Sequence, residues 1–184
     1  SSCFLKKRAA GPLFFDQKLV LQAIIGRVRS CIEIHSMIEA ENLRKNYGPL
    51  LAVDNISFTA RPGEVLGLLG PNGAGKTSTM RMMTGFIAPS SGKAILYGHD
   101  VEKNPVAAKK CLGYLPEGAP LYGELTTEQF LTFVARLRGI EKRSRLGKIN
   151  IALDRLNLKE VAHQTIDTLS KGFKRRVGLA AAIL

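Results

Sequence analysis

Cysteine is scarce: Cys3, Cys31 and Cys111 are the only three in 184 residues, with no C-x-x-C pair and no Cys/His cluster. An odd number without metal-ligand spacing argues for reduced thiols in a cytoplasmic protein and against zinc. His35, His99 and His163 are isolated from one another, as surface or ordinary core histidines are. No apolar stretch reaches the roughly 18 residues that a membrane-spanning helix needs. The longest candidate, residues 19–26, is short and contains Gln22. The chain therefore reads as soluble, and any membrane role would come through a partner. Internal repeats and low-complexity segments are also absent. No aromatic residues interleave with the basic runs at 136–148 and 174–176. Without a stacking platform these runs read as solvated helix faces rather than a nucleic-acid surface.

The residues that are present suit one globular domain. Length allows a sizeable core, and 45% apolar with 23% charged residues excludes a disordered or fibrous class. The net charge of +12, from 27 Lys and Arg against 15 Asp and Glu, favours anionic partners such as nucleotides or a membrane surface.

One stretch dominates: Gly70-Pro71-Asn72-Gly73-Ala74-Gly75-Lys76-Thr77, followed by Ser78. It fits G-x-x-x-x-G-K-[ST], a loop that holds a polyphosphate. A short apolar run at 65–69 has buried-strand length. Residues 77–84, with Met80, Met82 and Met83, read as a helix closed by Gly85. Wrapping a phosphate chain requires backbone N–H groups to point inward, so side chains at Gly73 and Gly75 would block the approach or forbid the dihedrals. A helix starting near Lys76 adds unpaired N–H groups and the positive end of its dipole. The Lys76 ammonium can reach the outer phosphates, and the Thr77 hydroxyl suits Mg²⁺, which takes oxygen ligands. A dinucleotide fingerprint fits less well because Ser78 stands where its third glycine belongs. No Asn-Lys-x-Asp guanine-reading motif occurs.

Residues 1–36 read differently from the rest. They carry six basic residues against Asp16 and Glu33, with no clean period. Asp16 and Lys18 interrupt the apolar region that a signal peptide would need. This extension is expected to be foreign to the domain that follows, with a basic amphipathic membrane-surface segment as the alternative. From Met37 onward, strands are expected at 38–43, 52–59, 93–97 and 112–115, with turns at 46–49, 61–64 and 89–92. Residues 105–110 would form a short helix. Thr126-x-x-Gln129 is a capping box, worth about 1 kcal/mol, opening a helix that Gly139 ends. Phe130, Phe133, Val134 and Leu137 fall at the spacing of its buried face. Ile149, Leu153 and Leu156 mark a second helix, and a third begins near Lys171.

Taken together, residues 37–184 resemble the nucleotide-binding subunit of an ATP-binding cassette transporter. Tyr47 matches the aromatic that stacks on adenine in this family. Gly113-Tyr114-Leu115-Pro116-Glu117 matches the segment whose Gln contacts Mg²⁺ and communicates with the membrane subunit. Here Glu117 replaces that Gln; a carboxylate retains the metal contact but adds negative charge near a γ-phosphate. The replacement is similar to export-type cassettes, including multidrug and gliding-motility systems. Leu169-Ser170-Lys171-Gly172-Phe173 stands where the Leu-Ser-Gly-Gly-Gln signature belongs, keeping Ser170 and Gly172. A hydroxyl and a bare N–H at a helix start can bind the γ-phosphate of a nucleotide held by the opposite subunit.

The resemblance implies an α/β fold: a P-loop NTPase core, an N-terminal antiparallel β subdomain, and a helical subdomain over about 118–170. It implies ATP and Mg²⁺ as cofactors, with Tyr47, residues 70–78, Ser170 and Gly172 binding nucleotide. Thr77 and Glu117 would hold the metal, and Lys76 and Glu117 would carry the catalytic roles. The partners implied are a transmembrane permease subunit and a second nucleotide-binding subunit, with no direct nucleic acid. The site of action would be the inner face of the cell membrane, reached through the permease.

The chain contains no Asp-Glu dipeptide, which the family uses for hydrolysis. It is expected to be truncated before that strand, to bind MgATP weakly, and to hydrolyse it at background rate. Its parallel sheet would keep an unpaired edge beside the phosphate loop. Two other functions stay open: a soluble cassette ATPase acting on ribosomes or nucleic acid, and a non-catalytic nucleotide-binding fragment.

Overall fold

The computed structural model describes residues 37–118 and 120–184, together with the backbone of residues 4–9 and 23–26. These divide into two compact units: residues 1–21 with 28–112, and residues 22–27 with 113–184. Each is described by itself.

In the first unit, β3 (Ile38–Tyr47) and β4 (Leu50–Ala60) form an antiparallel hairpin whose two-residue loop is Gly48-Pro49. β6 (Ser91–Leu96) pairs with the other edge of β3, and β7 (His99–Asp100) with β6, giving the order β4-β3-β6-β7. Both strands of the hairpin run longer than their apolar pattern suggests. The tight loop keeps pairing alive to Tyr47 and Leu50, where the side chains are exposed. A bulge displaces the register between Ala40 and Leu43. There Asn42 takes a positive φ, and its N–H donates to Ser57 Oγ at 2.8 Å.

Helix α1 (Lys76–Met83) packs against β3, β4 and β6. Met80, Met82 and Met83 are buried, and their unbranched side chains suit an irregular gap. At roughly 1.5–3 kcal/mol for each large side chain taken out of water, these three residues hold the helix down. The short helix α2 (Pro105–Lys110) forms as expected, with proline in its first turn.

β5 (Glu64–Leu69) leads into the glycine loop and pairs antiparallel with β1 (Phe4–Ala9) through all six positions. Two expectations change here. The ladders with described register are all antiparallel, so the parallel sheet is not seen among the described residues. One edge of β5 is taken by β1, a strand that the expectation of an unpaired edge did not include. β2 (Ala23–Gly26) likewise pairs with β8 (Leu112–Leu115). Strand pairing uses backbone groups that every non-proline residue carries, so a segment without hydrophobic alternation can still supply a strand.

The second unit is built from α3 (Thr127–Leu137), α4 (Lys142–Arg155) and α5 (Lys171–Ile183). The capping box on α3 is complete. Gln129 N–H donates to Thr126 Oγ1 at 3.2 Å, and Thr126 N–H donates to Gln129 Oε1 at 2.9 Å. Thr127, Phe130, Leu131 and Ala135 are the buried positions of this helix. Leu137, expected inside, is 72% exposed, and Phe133 also lies at the surface. The helix packs on α4 and α5 through a stripe that includes a threonine and an alanine, which an apolar count passes over. Phe133 instead meets the ring of Tyr122 edge-on, with centroids 5.4 Å apart. Leu131, Ile149, Leu158, Ile166 and Val177 form the centre of the core. Among the described residues, no helix is long and apolar enough to cross a membrane.

Candidate nucleotide site

The glycine loop connects β5 to α1, as its flanking patterns require. Ala74 N–H closes a turn onto the Pro71 carbonyl at 3.2 Å. Gly73 and Gly75 have φ of 82° and 83°, a region that costs an L-residue roughly 1–2 kcal/mol. The two glycines differ in their surroundings. A Cβ at Gly73 would meet nothing within 4 Å, so its bareness leaves the loop's outer surface open. A Cβ at Gly75 would collide with the Ala52 carbonyl of β4 and sit 3.0 Å from Val53 Cγ2. Gly75 is therefore required by packing as well as by its dihedral.

Gly75 is also the N-cap of α1, in the left-handed region and without a side-chain cap. The N–H groups of Lys76, Thr77 and Ser78 stand in the first turn, where no preceding helical carbonyl takes them. Helical bonding starts with Thr79, whose N–H donates to the Gly75 carbonyl at 2.8 Å. The buried Thr79 hydroxyl donates to the same oxygen at 3.0 Å. Lys76 arches back over the loop, and its Nζ donates to the Gly70 and Pro71 carbonyls, each at 2.6 Å. The ammonium is thus fixed above the loop with one proton still directed elsewhere. Bare glycine, free helix-start N–H groups and a fixed cation form a cradle that fits phosphate.

Tyr47 ends β3 at the hairpin loop, 44% exposed, with Lys45 Nζ 5.4 Å from its ring centroid. Lys45 is held there by donating to the Ala88 carbonyl at 2.6 Å. Tyr47 and residues 70–78 all lie in the first unit.

Glu117, Ser170 and Gly172 belong to the second unit. Glu117 follows Pro116 in the turn after β8 and is exposed. The Thr77 hydroxyl in the first unit is likewise at the surface. Both offer the hard oxygen atoms that Mg²⁺ prefers, so the donor chemistry fits the metal. Ser170 is the N-cap of α5, its Oγ accepting from Phe173 N–H at 3.3 Å. Gly172 lies in the first turn of α5; a Cβ there would meet only Ser170 Oγ, at 3.9 Å.

Sequence reasoning missed three contributors. Ala52 lies behind Gly75, and only the hairpin places it there. Lys45 covers one face of Tyr47; its signal was a cation two residues from an aromatic on one strand face. Arg176 stacks on Phe173 with its Cζ 4.0 Å from the ring centroid; the i, i+3 spacing on a helix was the available clue.

Strand, glycine loop, a helix start without a side-chain cap and an exposed aromatic define a P-loop nucleotide-binding domain. The ABC transporter family matches residues 53–184, and the chain belongs to that family, as a nucleotide-binding domain. It is 40% identical over 149 residues to the probable multidrug ABC transporter ATP-binding protein YbhF of Escherichia coli (strain K12), covering 81% of this chain and 26% of that protein. It is 36% identical over 148 residues to the linearmycin resistance ATP-binding protein LnrL of Bacillus subtilis (strain 168), covering 80% of this chain and 48% of that one. The chain thus spans between a quarter and a half of the length of these curated relatives. Among solved structures, the ATP-binding subunit of an ABC transporter superposes with a TM-score of 0.67 at 23% identity, covering 80% of this chain and 61% of that one. CbiO1 from Clostridium perfringens, part of the complex cbiONQ, gives the same TM-score at 21% identity, covering 81% and 61%. These two likenesses bear on the fold alone and agree with an α/β P-loop NTPase.

Proposed function

We propose that residues 37–184 form the ATP-binding cassette of a membrane transporter, an exporter by its Glu117 and Lys171-Gly172-Phe173 variations, and that residues 1–36 are an N-terminal extension joined to it through the β1–β5 and β2–β8 pairings. The observation that carries this reading is the cradle at residues 70–78, where Gly73, Gly75 and Lys76 combine open backbone with a fixed ammonium. ATP would lie with its phosphates on this loop and its adenine on Tyr47. The Thr77 hydroxyl would bind Mg²⁺, which supplies charge neutralisation to the phosphates. Lys76 would hold the outer phosphates by charge-assisted hydrogen bonds, redirecting protons now given to Gly70 and Pro71.

The helical subdomain, about 118–170, leads into the Ser170 and Gly172 contact with a nucleotide held by a second subunit. A permease subunit would place the pair at the inner face of the membrane, and hydrolysis by the full-length protein would drive transport. The names of the two relatives, a probable multidrug ABC transporter ATP-binding protein and a linearmycin resistance ATP-binding protein, support an export role. Titrating a fluorescent ATP analogue tests the site. Binding that Lys76→Ala weakens at least tenfold, with an unchanged melting curve, is expected; equal binding by the variant would overturn it.

A further inference from the structure

The helix start bearing Ser170 and Gly172 is braced by a side chain between one and two turns further on. Arg176 Nη1 donates to the carbonyls of Leu156 at 3.3 Å and Asn157 at 3.2 Å. Leu156 is the C-cap of α4, and Asn157 beside it has a φ of 50°. Carbonyls at a helix end lack helical partners and carry the negative end of the dipole, so a guanidinium is suited to them. The same guanidinium lies over the Phe173 ring, and Phe173 N–H donates to Ser170 Oγ. A planar, delocalised cation can lie flat on a ring while its edge donates to two carbonyls, a geometry that a lysine ammonium, being a point charge, does not reproduce. The other tether, Lys174 to Asp167 at 3.6 Å, is weaker because the Asp167 side chain is 73% exposed.

We propose that Arg176 is a positioning residue for the anion contact of Ser170 and Gly172, acting through Phe173; this rests on the reading of those two residues given above. Arg176 ties the end of α4 to α5, and the stacked ring fixes the turn whose amide orients Ser170 Oγ. The Phe173 position, where the family signature has Gln, is thereby given a purpose: its ring is the surface on which the guanidinium rests.

The test compares Arg176→Lys, Phe173→Leu, their combination and Ser170→Ala with the unaltered chain. Hydrogen exchange at the residue 173 amide reads local order, and sedimentation with ATP reads nucleotide-driven self-association. Arg176→Lys and Phe173→Leu should each speed that exchange by about fivefold and weaken ATP-driven association to a similar degree. The double variant should be no worse than either single one, and binding of a fluorescent ATP analogue at the Lys76 loop should be unchanged. Unaltered exchange and association in both single variants, while Ser170→Ala loses association, would overturn the positioning role and leave the anion contact standing. No ATP-driven association in the unaltered chain, or association that survives Ser170→Ala, would overturn the anion contact and the positioning role with it.

Discussion

The two units hold their candidate site residues by different means. In the first, backbone geometry sets the residue types: Gly75 must be glycine because of its φ and because β4 leaves no room for a Cβ. In the second, side chains do the holding: the Thr126–Gln129 capping box, the Ser170 cap and the Arg176–Phe173 stack. Backbone fit of the first kind is all-or-none, because a collision with a main-chain carbonyl has no rotamer that relieves it. Side-chain fit is graded, since each partner is worth on the order of 1 kcal/mol and neighbours share the load.

The sharpest way to break this contrast is to add one methyl group to a glycine in each unit. Gly75→Ala should cost more than about 2 kcal/mol and abolish nucleotide binding, read by thermal melting and analogue titration. Gly172→Ala, in a helical position with open space around it, should hold or raise the melting temperature, by up to about 1 kcal/mol of stability, because alanine is the better helix former. Equal damage at both positions would remove the distinction. Removing the capping box by Thr126→Ala should cost about 1 kcal/mol by chemical denaturation without altering nucleotide binding at the loop.

The smallest effect concerns Tyr97, whose buried hydroxyl has no hydrogen-bond partner among the described residues. Burial, and secondarily the charge of Cys111, raise its pKa above the ordinary 10.0. A raised folded-state pKa means that the unfolded chain gives up this proton first. The associated stability is therefore whole below pH 10.0 and lost as pH rises through the folded value. Tyr97→Phe should flatten this alkaline loss in melting curves while leaving neutral stability equal or higher. A steeper loss in the variant would contradict the assignment.

Much of the fold was legible because punctuation residues marked it. Pro105 opened α2, Thr126 and Gly139 bracketed α3, and Pro116 ended β8 where the pattern placed it. The glycine loop was legible for a chemical reason, since a phosphate cradle constrains residue type at several adjacent positions. What escaped was set by partners distant in sequence. β1 has no periodicity of its own and is specified by the β5 edge it meets. The buried side of α3 is chosen by α4 and α5, so Ala135 is inside and Leu137 outside. Arg176 reaches carbonyls nineteen and twenty residues back in the chain, a link that spacing within α5 could not reveal.

The collision that forbids a Cβ at Gly75 also fixes a length. Ala52 and Val53, which touch the loop, lie on the same hairpin that ends in Tyr47, five residues before Ala52. The loop and the aromatic are therefore two jaws of one gauge, their spacing set by a stretch of β4 rather than by side-chain rotamers. Under the reading proposed above, such a gauge would measure a nucleotide from base to phosphate. A nucleotide with an inserted linker between ribose and phosphate could engage one jaw or the other, and would bind no better than free polyphosphate.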